Sequence, residues 1–482
     1  MLERLPPSDW STVQAAHLLN RAGFGGSPAE IAALKALGLE KAVDQILQGE
    51  EDDDLFPPPR LSQPAELYEQ MRAAKAAVKA GPDDPKAREA QRMRRMEQND
   101  QIRDLRAWWL GRMRYTPHPL REKMTLFWHG HFATSFEKVK VAFLMWQQNE
   151  TLRANALGNF RELTRQVSKD PAMMRYLDTV QSQRSQPNEN FARELLELFT
   201  LGEGVRYTEE DIQESARAFT GYRLNPRTMS FLFARRQFDE TEKEFMGRNG
   251  PFDGDAIIDI IIAQPECAAF ITRKLWAFLA SEDPSPATLR QLASHFRDSK
   301  YDIRSTLREI FLSKEFYSPK CLRSQVKSPV QWLVQTARVL EAPLPAPAAL
   351  EVSLAQMGQV PFAPPNVKGW DGGRAWISSS TLLFRYNLAG YIVSGRPPAL
   401  EGFRKSTAAV SVPLDKIAPT ALRADPAGIC DSVSLRLLNS PVAGAEREKF
   451  LAFLDSHGPE ISDSALRDFL HLMMSTPDYQ LT

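Results

Sequence analysis

The sequence predicts a mainly α-helical protein with a large multi-helix body, a projecting helical arm over residues 60–116, a small β-hairpin or flap over 229–247, and a C-terminal helical unit. Helix-start signatures recur along the chain, two charge-rich stretches have high helix propensity, and only one segment alternates loosely as strands do. A chain of 482 residues exceeds the usual size of a single core. We therefore expect a body over 1–399 and a helical unit over 400–482 that packs on it.

Capping residues mark several helix starts. Ser27 precedes a proline and stands three residues before Glu30, which is the pattern of a capping box with proline at the first helical position. Ser328 repeats the pattern before Pro329, and Thr208 precedes "EEDIQESARAFTG". We predict that Ser27, Thr208 and Ser328 are N-caps.

The arm consists of two predicted helices, "AELYEQMRAAKAAVKAG" and "DPKAREAQRMRRMEQNDQIRDLRAWWLGRMRY". Both are rich in Ala, Arg, Glu and Lys, which favour helices. Their many charges predict that the arm is solvated and packs along one stripe, with a break near Gly81–Pro85. The flap, "MSFLFARRQFDETEKEFMG", has a predicted polar turn from Asp239 to Glu242.

Composition excludes several classes of protein. Lys+Arg and Asp+Glu are both 60, so no excess positive charge favours nonspecific binding of nucleic acid. The three cysteines form no CxxC pair, and HExxH, GxSxG and phosphate-loop motifs are absent. No apolar stretch is long enough to span a membrane. The N-terminus shows no secretory signal, so a cytoplasmic location is the default expectation.

The first candidate site is "FWHGHFATS", which holds His129 and His131 on either side of Gly130. Gly130 favours a helix end near His129, and in an extended segment both imidazoles would point the same way. They could then hold a divalent metal or take part in proton transfer. The structural alternative is that both histidines pack in a turn and bind backbone carbonyls.

The second candidate is the polar stripe of "NENFARELLELFTLGEG", whose apolar positions follow a buried helical face. Asn190, Glu194 and Glu197 share the other side with Arg193. The carboxylates could act as general acid and base, and Glu194 could complete a metal site with His129 and His131. The alternative is a solvated face with an Arg193–Glu197 ion pair.

The third candidate is "PPNVKGWDGGRAWISSS", which we name the Trp loop, residues 364–380. Trp370 and Trp376 could form a platform for sugar rings or other flat apolar faces, and Gly372 and Gly373 would let the backbone approach a ligand near Asp371. The alternative is that the tryptophans fill the core beneath a long loop.

Several blocks together resemble a bacterial family catalogued as domain of unknown function 1800. They are "HLLNRAGFGGSPAEI", "PLREKMTLFWHGHFATS", "NENFARELLELFTLG", "YTEEDIQESARAFTGY" and "PPNVKGWDGGRAWISSSTLLFRYN", in the family's order, and the resemblance covers about residues 12–482. Members often bear export signals and are encoded beside a sulfatase-like family. The resemblance thus implies an extracytoplasmic, polysaccharide-related setting and a sulfatase-like partner protein.

The resemblance also bears on single positions. Family members often carry histidine where this chain has Phe199, and a His-Asp pair where it has Phe238 and Asp239. Asp239 and Lys243 remain, and we expect them to be substrate-binding residues.

Two functions remain open from the sequence. One is a hydrolase that acts on a carbohydrate-like or other polar polymer, with a centre formed by His129, His131, Glu194 and Glu197 and a wall formed by Trp370. The other is a noncatalytic helical scaffold that binds a partner protein through the arm and the Trp loop. Convergence of the histidines and the polar stripe on one pocket would favour the hydrolase.

Overall fold

The computed structural model describes residues 1–49, 55–80, 85–397, 403 and 411–482. Helices dominate this part of the chain, and its strands form two antiparallel hairpins of two strands each, so the predicted mainly α class is confirmed. The first helices are α1 (Thr12–Ala22), α2 (Pro28–Ala36), α3 (Leu39–Leu47), α4 (Pro64–Ala80), α5 (Pro85–Tyr115), α6 (Pro119–His131), α7 (Phe136–Val139), α8 (Ala142–Ala154), α9 (Phe160–Ser168) and α10 (Pro171–Tyr176).

The middle of the chain contains both hairpins. α11 (Asn190–Glu194) continues into a π-helical turn (Leu195–Thr200) and is followed by α12 (Glu209–Ala218). The strands are β1 (Tyr222–Asn225), β2 (Ser230–Phe233), β3 (Lys243–Phe245) and β4 (Arg248–Gly250). The later helices are α13 (Gly254–Ile262), α14 (Pro265–Leu279), α15 (Pro286–Asp298), α16 (Ile303–Leu312), α17 (Pro329–Val339), α18 (Pro347–Met357), α19 (Ser379–Ser394), α20 (Leu414–Ile417), α21 (Pro426–Leu438), α22 (Gly444–Asp455) and α23 (Asp463–Met474).

The predicted N-caps are confirmed. The Ser27 hydroxyl accepts from the Glu30 amide and the Glu30 carboxylate accepts from the Ser27 amide, which completes the capping box. Thr208 forms the same box with Asp211, and the Ser328 hydroxyl accepts from the Gln331 amide. Many helices begin with proline, whose missing N–H is not needed in the first turn.

The predicted flap exists, but its turns lie elsewhere. β1 pairs with β2 from Tyr222↔Phe233 to Asn225↔Ser230, and β3 pairs with β4 from Lys243↔Gly250 to Phe245↔Arg248. The segment Asp239–Glu242, expected as the hairpin turn, instead connects one hairpin to the other. The polar side chains there bind the backbone and α12, and this outweighs their local preference for a tight turn.

The arm is less exposed than its charges predicted. The C-terminal half of α5 is part of the core, since Leu105, Trp109, Leu110 and Met113 are fully buried. Its N-terminal half keeps two large apolar side chains in solvent, Met93 and Met96, and Tyr115 is exposed at its last position. The predicted break near Gly81–Pro85 falls on residues 81–84, which lie outside the described part of the chain.

Two large hydrophobic clusters fill the interior, and α6 lies between them. It gives Met124, Phe127 and Trp128 to the first cluster and Leu126 to the second. The second cluster combines α5, α8, α17, α18 and α19 with the C-terminal helices. The predicted boundary at 399/400 lies outside the described residues.

An ion network anchors α6 to its neighbours. The buried Glu122 carboxylate accepts hydrogen bonds from Arg112 Nε at 2.7 Å, Arg153 Nε at 2.6 Å and Trp109 Nε1 at 2.8 Å. These partners lie on α5 and α8, so one carboxylate fixes three helices. None of the helices in the described ranges is both long and apolar enough to cross a membrane.

Candidate functional site

The helix that carries the two histidines does not end where the sequence predicted. α6 runs through Gly130 to His131, and its C-cap is Phe132. Side chains two positions apart in a helix diverge by about 200°, so the imidazoles of His129 and His131 point to different neighbours. The expected helix end near His129 is wrong, because the aromatic packing of His131 and Phe132 outweighs the weak helix-breaking tendency of glycine.

Each histidine has one backbone partner. The Phe362 amide donates to His129 Nε2 at 2.9 Å, so Nδ1 of His129 carries the hydrogen in the neutral ring. His131 Nε2 lies 3.0 Å from the Phe199 carbonyl oxygen, which can only accept, so Nε2 carries the hydrogen there. The two rings are therefore opposite tautomers. Both Nδ1 atoms are buried, and neither has a hydrogen-bond partner among the described residues.

Burial keeps both imidazoles neutral. It lowers the pKa of His129 to about 3, and burial together with the nearby Lys274 charge lowers the pKa of His131 well below its usual value. Within the described ranges, no three His, Cys, Asp or Glu side chains come together in a way that could hold a metal ion. The predicted metal set of His129, His131 and Glu194 stays a prediction without geometric support.

The polar stripe has its own partners. Arg193 binds Glu209 at 2.7 Å, Glu189 at 3.2 Å and Glu197 at 3.4 Å. The expected Arg193–Glu197 ion pair is thus present within a larger network. Burial, and then the neighbouring Glu197 charge, raises the pKa of Glu194. His131 contacts this helix through the Phe199 carbonyl. Asn190, at the start of α11, is exposed.

The two flap residues support the flap itself. Arg217 Nε donates to Asp239 Oδ2 at 2.8 Å. Burial alone would raise the pKa of Asp239, but the hydrogen bonds from Arg217 and Thr241 and the Arg217 charge together lower it to about 2. The buried Lys243 Nζ donates to the carbonyl oxygens of Asp239 at 2.7 Å and Thr241 at 2.9 Å. Burial lowers its pKa. A substrate role for these two residues stays a prediction.

The Trp loop closes a cavity of about 600 Å³ against α6, α14 and the start of α17. We name it the Trp-loop cavity. Trp370 and Trp376 line it from the loop, and Phe127 and Phe278 line it from the helices. Its size lies within the range of small-ligand sites, and its aromatic walls carry a few polar groups, as such sites usually do.

A glycine of the Trp loop allows the loop to close against α6. Gly369 has φ +90°, and a Cβ there would overlap the carbonyl oxygen of Gly130. Gly130 itself has open space where a Cβ would stand, and it lines the cavity. The loop therefore rests directly on the backbone of α6, beside the two histidines, and Trp370 contacts the His129 ring with centroids 5.8 Å apart.

Three lysines line the same cavity. Lys123 Nζ donates to Gln331 Oε1, and Lys327 Nζ donates to the Tyr479 carbonyl oxygen at 2.7 Å. Lys274 lies over the Phe270 ring, 5.0 Å from its centroid. Burial lowers the pKa of Lys123 and Lys327 to about 7 and that of Lys274 to about 8.

The cavity gathers only part of the predicted site. His131, Trp370, Asp371 and Trp376 line it, whereas the polar stripe and the flap residues do not. Sequence analysis missed the lysines, because Lys123, Lys274 and Lys327 are far apart in the chain and follow no motif. The sequence did contain one signal. Lys274 lies within the apolar pattern of α14 and Lys327 comes just before the Ser328 cap, and both positions indicate cations near buried faces.

Fold and cavity define a helical protein with an aromatic, lysine-lined pocket under a glycine-rich loop. The chain belongs to the family described as Protein of unknown function (DUF1800), whose model matches residues 17–481. The resemblance found in the sequence blocks is thereby confirmed. No curated protein and no solved structure matches the chain.

Proposed function

We propose that this protein binds a carbohydrate-like polar polymer in the Trp-loop cavity. The observation that carries the proposal is the convergence of Trp370 and Trp376 on one cavity of about 600 Å³. Trp376 is buried and Trp370 is half-buried, so both rings keep a fixed position. The cavity lining also contains the amide groups of Gln331 and Gln359. A sugar ring, which has apolar faces and a polar edge, can stack on the tryptophans and form hydrogen bonds with such amides.

Hydrolysis in the same cavity is the second candidate function. It rests on two carboxylates of the cavity lining, Glu282 and Asp371, because glycoside hydrolysis needs a pair of carboxyl groups. The histidines and the polar stripe, which the sequence favoured for this role, have separate backbone and ion-pair partners. Release of reducing ends from a bound oligosaccharide, abolished in both Glu282→Gln and Asp371→Asn, would support this candidate. Turnover unchanged in either variant would exclude the pair.

Blocking the cavity tests the binding proposal. Gly130 is helical, has open space at its Cβ position and lines the cavity, so the leucine of Gly130→Leu would enter it. Gly111 in α5 also has open space but lies outside the cavity lining, so Gly111→Leu is the matched control.

The measurement is calorimetric binding of a panel of defined oligosaccharides to the full-length protein. We expect at least one oligosaccharide to bind the wild type and Gly111→Leu equally, and binding to be lost in Gly130→Leu. Equal binding by all three proteins would place the ligand elsewhere and overturn the proposal, as would a wild type that binds no saccharide.

A further inference from the structure

Three lysines of the Trp-loop cavity lack acidic partners among the described residues. Lys123 and Lys327 are almost fully buried, and each binds a neutral oxygen, from Gln331 and Tyr479. Lys274 contacts the Phe270 ring. Among the described residues, no carboxylate lies within ion-pair distance of any of the three.

This arrangement is unusual for buried lysines. Proteins rarely bury a charged amine, and those that do generally pair it with a carboxylate, because desolvation of an unpaired ion is costly. Two such amines and the half-buried Lys274 around one open cavity leave a surplus of positive charge that the described residues do not neutralise. A negatively charged group on the ligand would supply the missing charge.

The rest of the cavity lining does not remove this surplus. Lys368 and Arg374 add two positive charges from the Trp loop, and the side chains of Glu282 and Asp371 add two negative charges. Asp371 lies 3.8 Å from Lys368, so its charge is already partly balanced. His131 is neutral, and the nearby Arg21 and Arg385 act on Lys123 and Lys327 as further positive charges.

We infer that the ligand of the Trp-loop cavity is an acidic saccharide, one that carries a carboxylate or sulfate group, and that Lys274 binds this group. The inference rests on the proposed function and specifies its ligand class. Lys274 is the best placed of the three lysines because it has no hydrogen-bond acceptor in the described structure and is only half-buried. The other two are held by Gln331 and Tyr479.

Proton uptake is an expected consequence. An anion beside a lysine raises the pKa of that lysine, since it stabilises the charged form. With the pKa of Lys274 at about 8 and those of Lys123 and Lys327 at about 7, these amines are partly neutral at pH 8 in the free protein. Binding of an acidic saccharide at pH 8 should therefore take up protons, whereas binding of a neutral saccharide should not.

The experiment compares three probes of equal length by titration calorimetry: a neutral galactose trimer, a galacturonate trimer and a sulfated galactose trimer. Titrations in buffers of different ionisation enthalpy report the protons taken up. Lys274→Met removes the proposed contact, and Arg273→Met removes the same charge from the neighbouring position of α14, which does not line the cavity. Inorganic sulfate, assayed by thermal shift, tests the anion site alone.

We expect at least one acidic trimer to bind the wild type about tenfold more tightly than the neutral trimer, as a charge-assisted contact provides. Lys274→Met should lose that factor and take up fewer protons, while Arg273→Met keeps both at the wild-type level. The trimer that shows the gain identifies carboxylate or sulfate as the group.

Two results would distinguish failure of the acidic-ligand inference from failure of the proposed carbohydrate binding. Equal affinity for neutral and acidic trimers would overturn the inference and leave the proposed function standing. If no trimer binds, but sulfate raises the melting temperature of the wild type and not of Lys274→Met, the anion site is supported and the carbohydrate function fails. Equal effects of Lys274→Met and Arg273→Met would also overturn the inference.

Discussion

Gly369 of the Trp loop lies directly against the carbonyl oxygen of Gly130 in α6, so that even one methyl group at position 369 would overlap it. Gly369 has no side chain, and this lets the loop backbone contact the helix backbone. The contact fixes Trp370, the next residue in the chain, against His129. The shape of the cavity therefore depends on an approach that only glycine permits.

The first prediction concerns this contact. Gly369→Ala should lower the free energy of unfolding by about 3 kcal/mol, since it combines a positive φ with a steric overlap that forces the loop from the helix. Gly358→Ala is the control, because Gly358 has φ +93° but open space at its Cβ position. It should lose only about 1–2 kcal/mol. Urea unfolding measures both, and equal losses would mean that the contact is unimportant.

The second prediction concerns Glu122. Its carboxylate is 1% exposed and accepts bonds from Arg112, Arg153 and Trp109. Glu122→Gln removes the buried negative charge that Arg112 and Arg153 share, so we expect a loss of about 3–5 kcal/mol in unfolding free energy. Glu150→Gln removes the more exposed partner of Arg153 and should cost well under half as much. Similar values for the two variants would contradict a central role for Glu122.

The sequence predicted local features better than tertiary ones. The caps at Ser27, Thr208 and Ser328 depend on hydrogen bonds within four residues, so their patterns were sufficient. The end of α6 was mispredicted because glycine is only a weak helix breaker and distant aromatic residues decide the outcome. In α5, the apolar residues Ile102, Leu105, Trp109 and Met113 recur at helical spacing. Because many charged residues surround them, the sequence predicted a solvated arm and not a buried helix face.

The cavity lay beyond sequence analysis for a different reason. Its Trp loop was recognised from composition, and Trp370, Asp371 and Trp376 do line one cavity with His131. Its cations come from α6, α14 and the residue before α17, and only the packing of these elements brings them together. A lysine in an amphipathic helix gives no sign in the sequence that its amine will lack a carboxylate partner.

The third prediction concerns the contribution of each N-cap to the free energy of unfolding. Ser27→Ala, Thr208→Ala and Ser328→Ala should each lower the unfolding free energy by about 0.5–2 kcal/mol, because one or two helix N–H groups lose their acceptor. Ser27→Asp and Ser328→Asp should retain most of the stability, since aspartate caps equally well. Thermal and urea unfolding provide the values. A loss in the aspartate variants as large as in the alanine variants would point to packing rather than capping.

The last prediction concerns the pH dependence of stability. Asp170 caps α10 through the Met173 amide, accepts from Gln148 Nε2 at 2.8 Å and is 3% exposed. Within the described structure it has no ion-pair partner, and burial raises its pKa from 3.8 to about 7. The folded protein therefore holds a proton that the unfolded chain releases between about pH 4 and pH 7. In that window the unfolded state binds fewer protons, so this group reduces stability as pH rises.

Asp170→Asn should remove this dependence, because asparagine keeps the cap and the bond to Gln148 without an ionisable group. Relative to the wild type, the variant should gain roughly 1–4 kcal/mol in unfolding free energy between pH 4.5 and pH 8, which follows from the size of the pKa shift. The control is Asp302→Asn at the N-cap of α16, where the carboxylate is only half-buried and accepts from the Ser305 amide. Chemical unfolding of the three proteins across this pH range gives the comparison. A difference between Asp170→Asn and the wild type that stays constant with pH would show that Asp170 is ionised in the folded protein throughout.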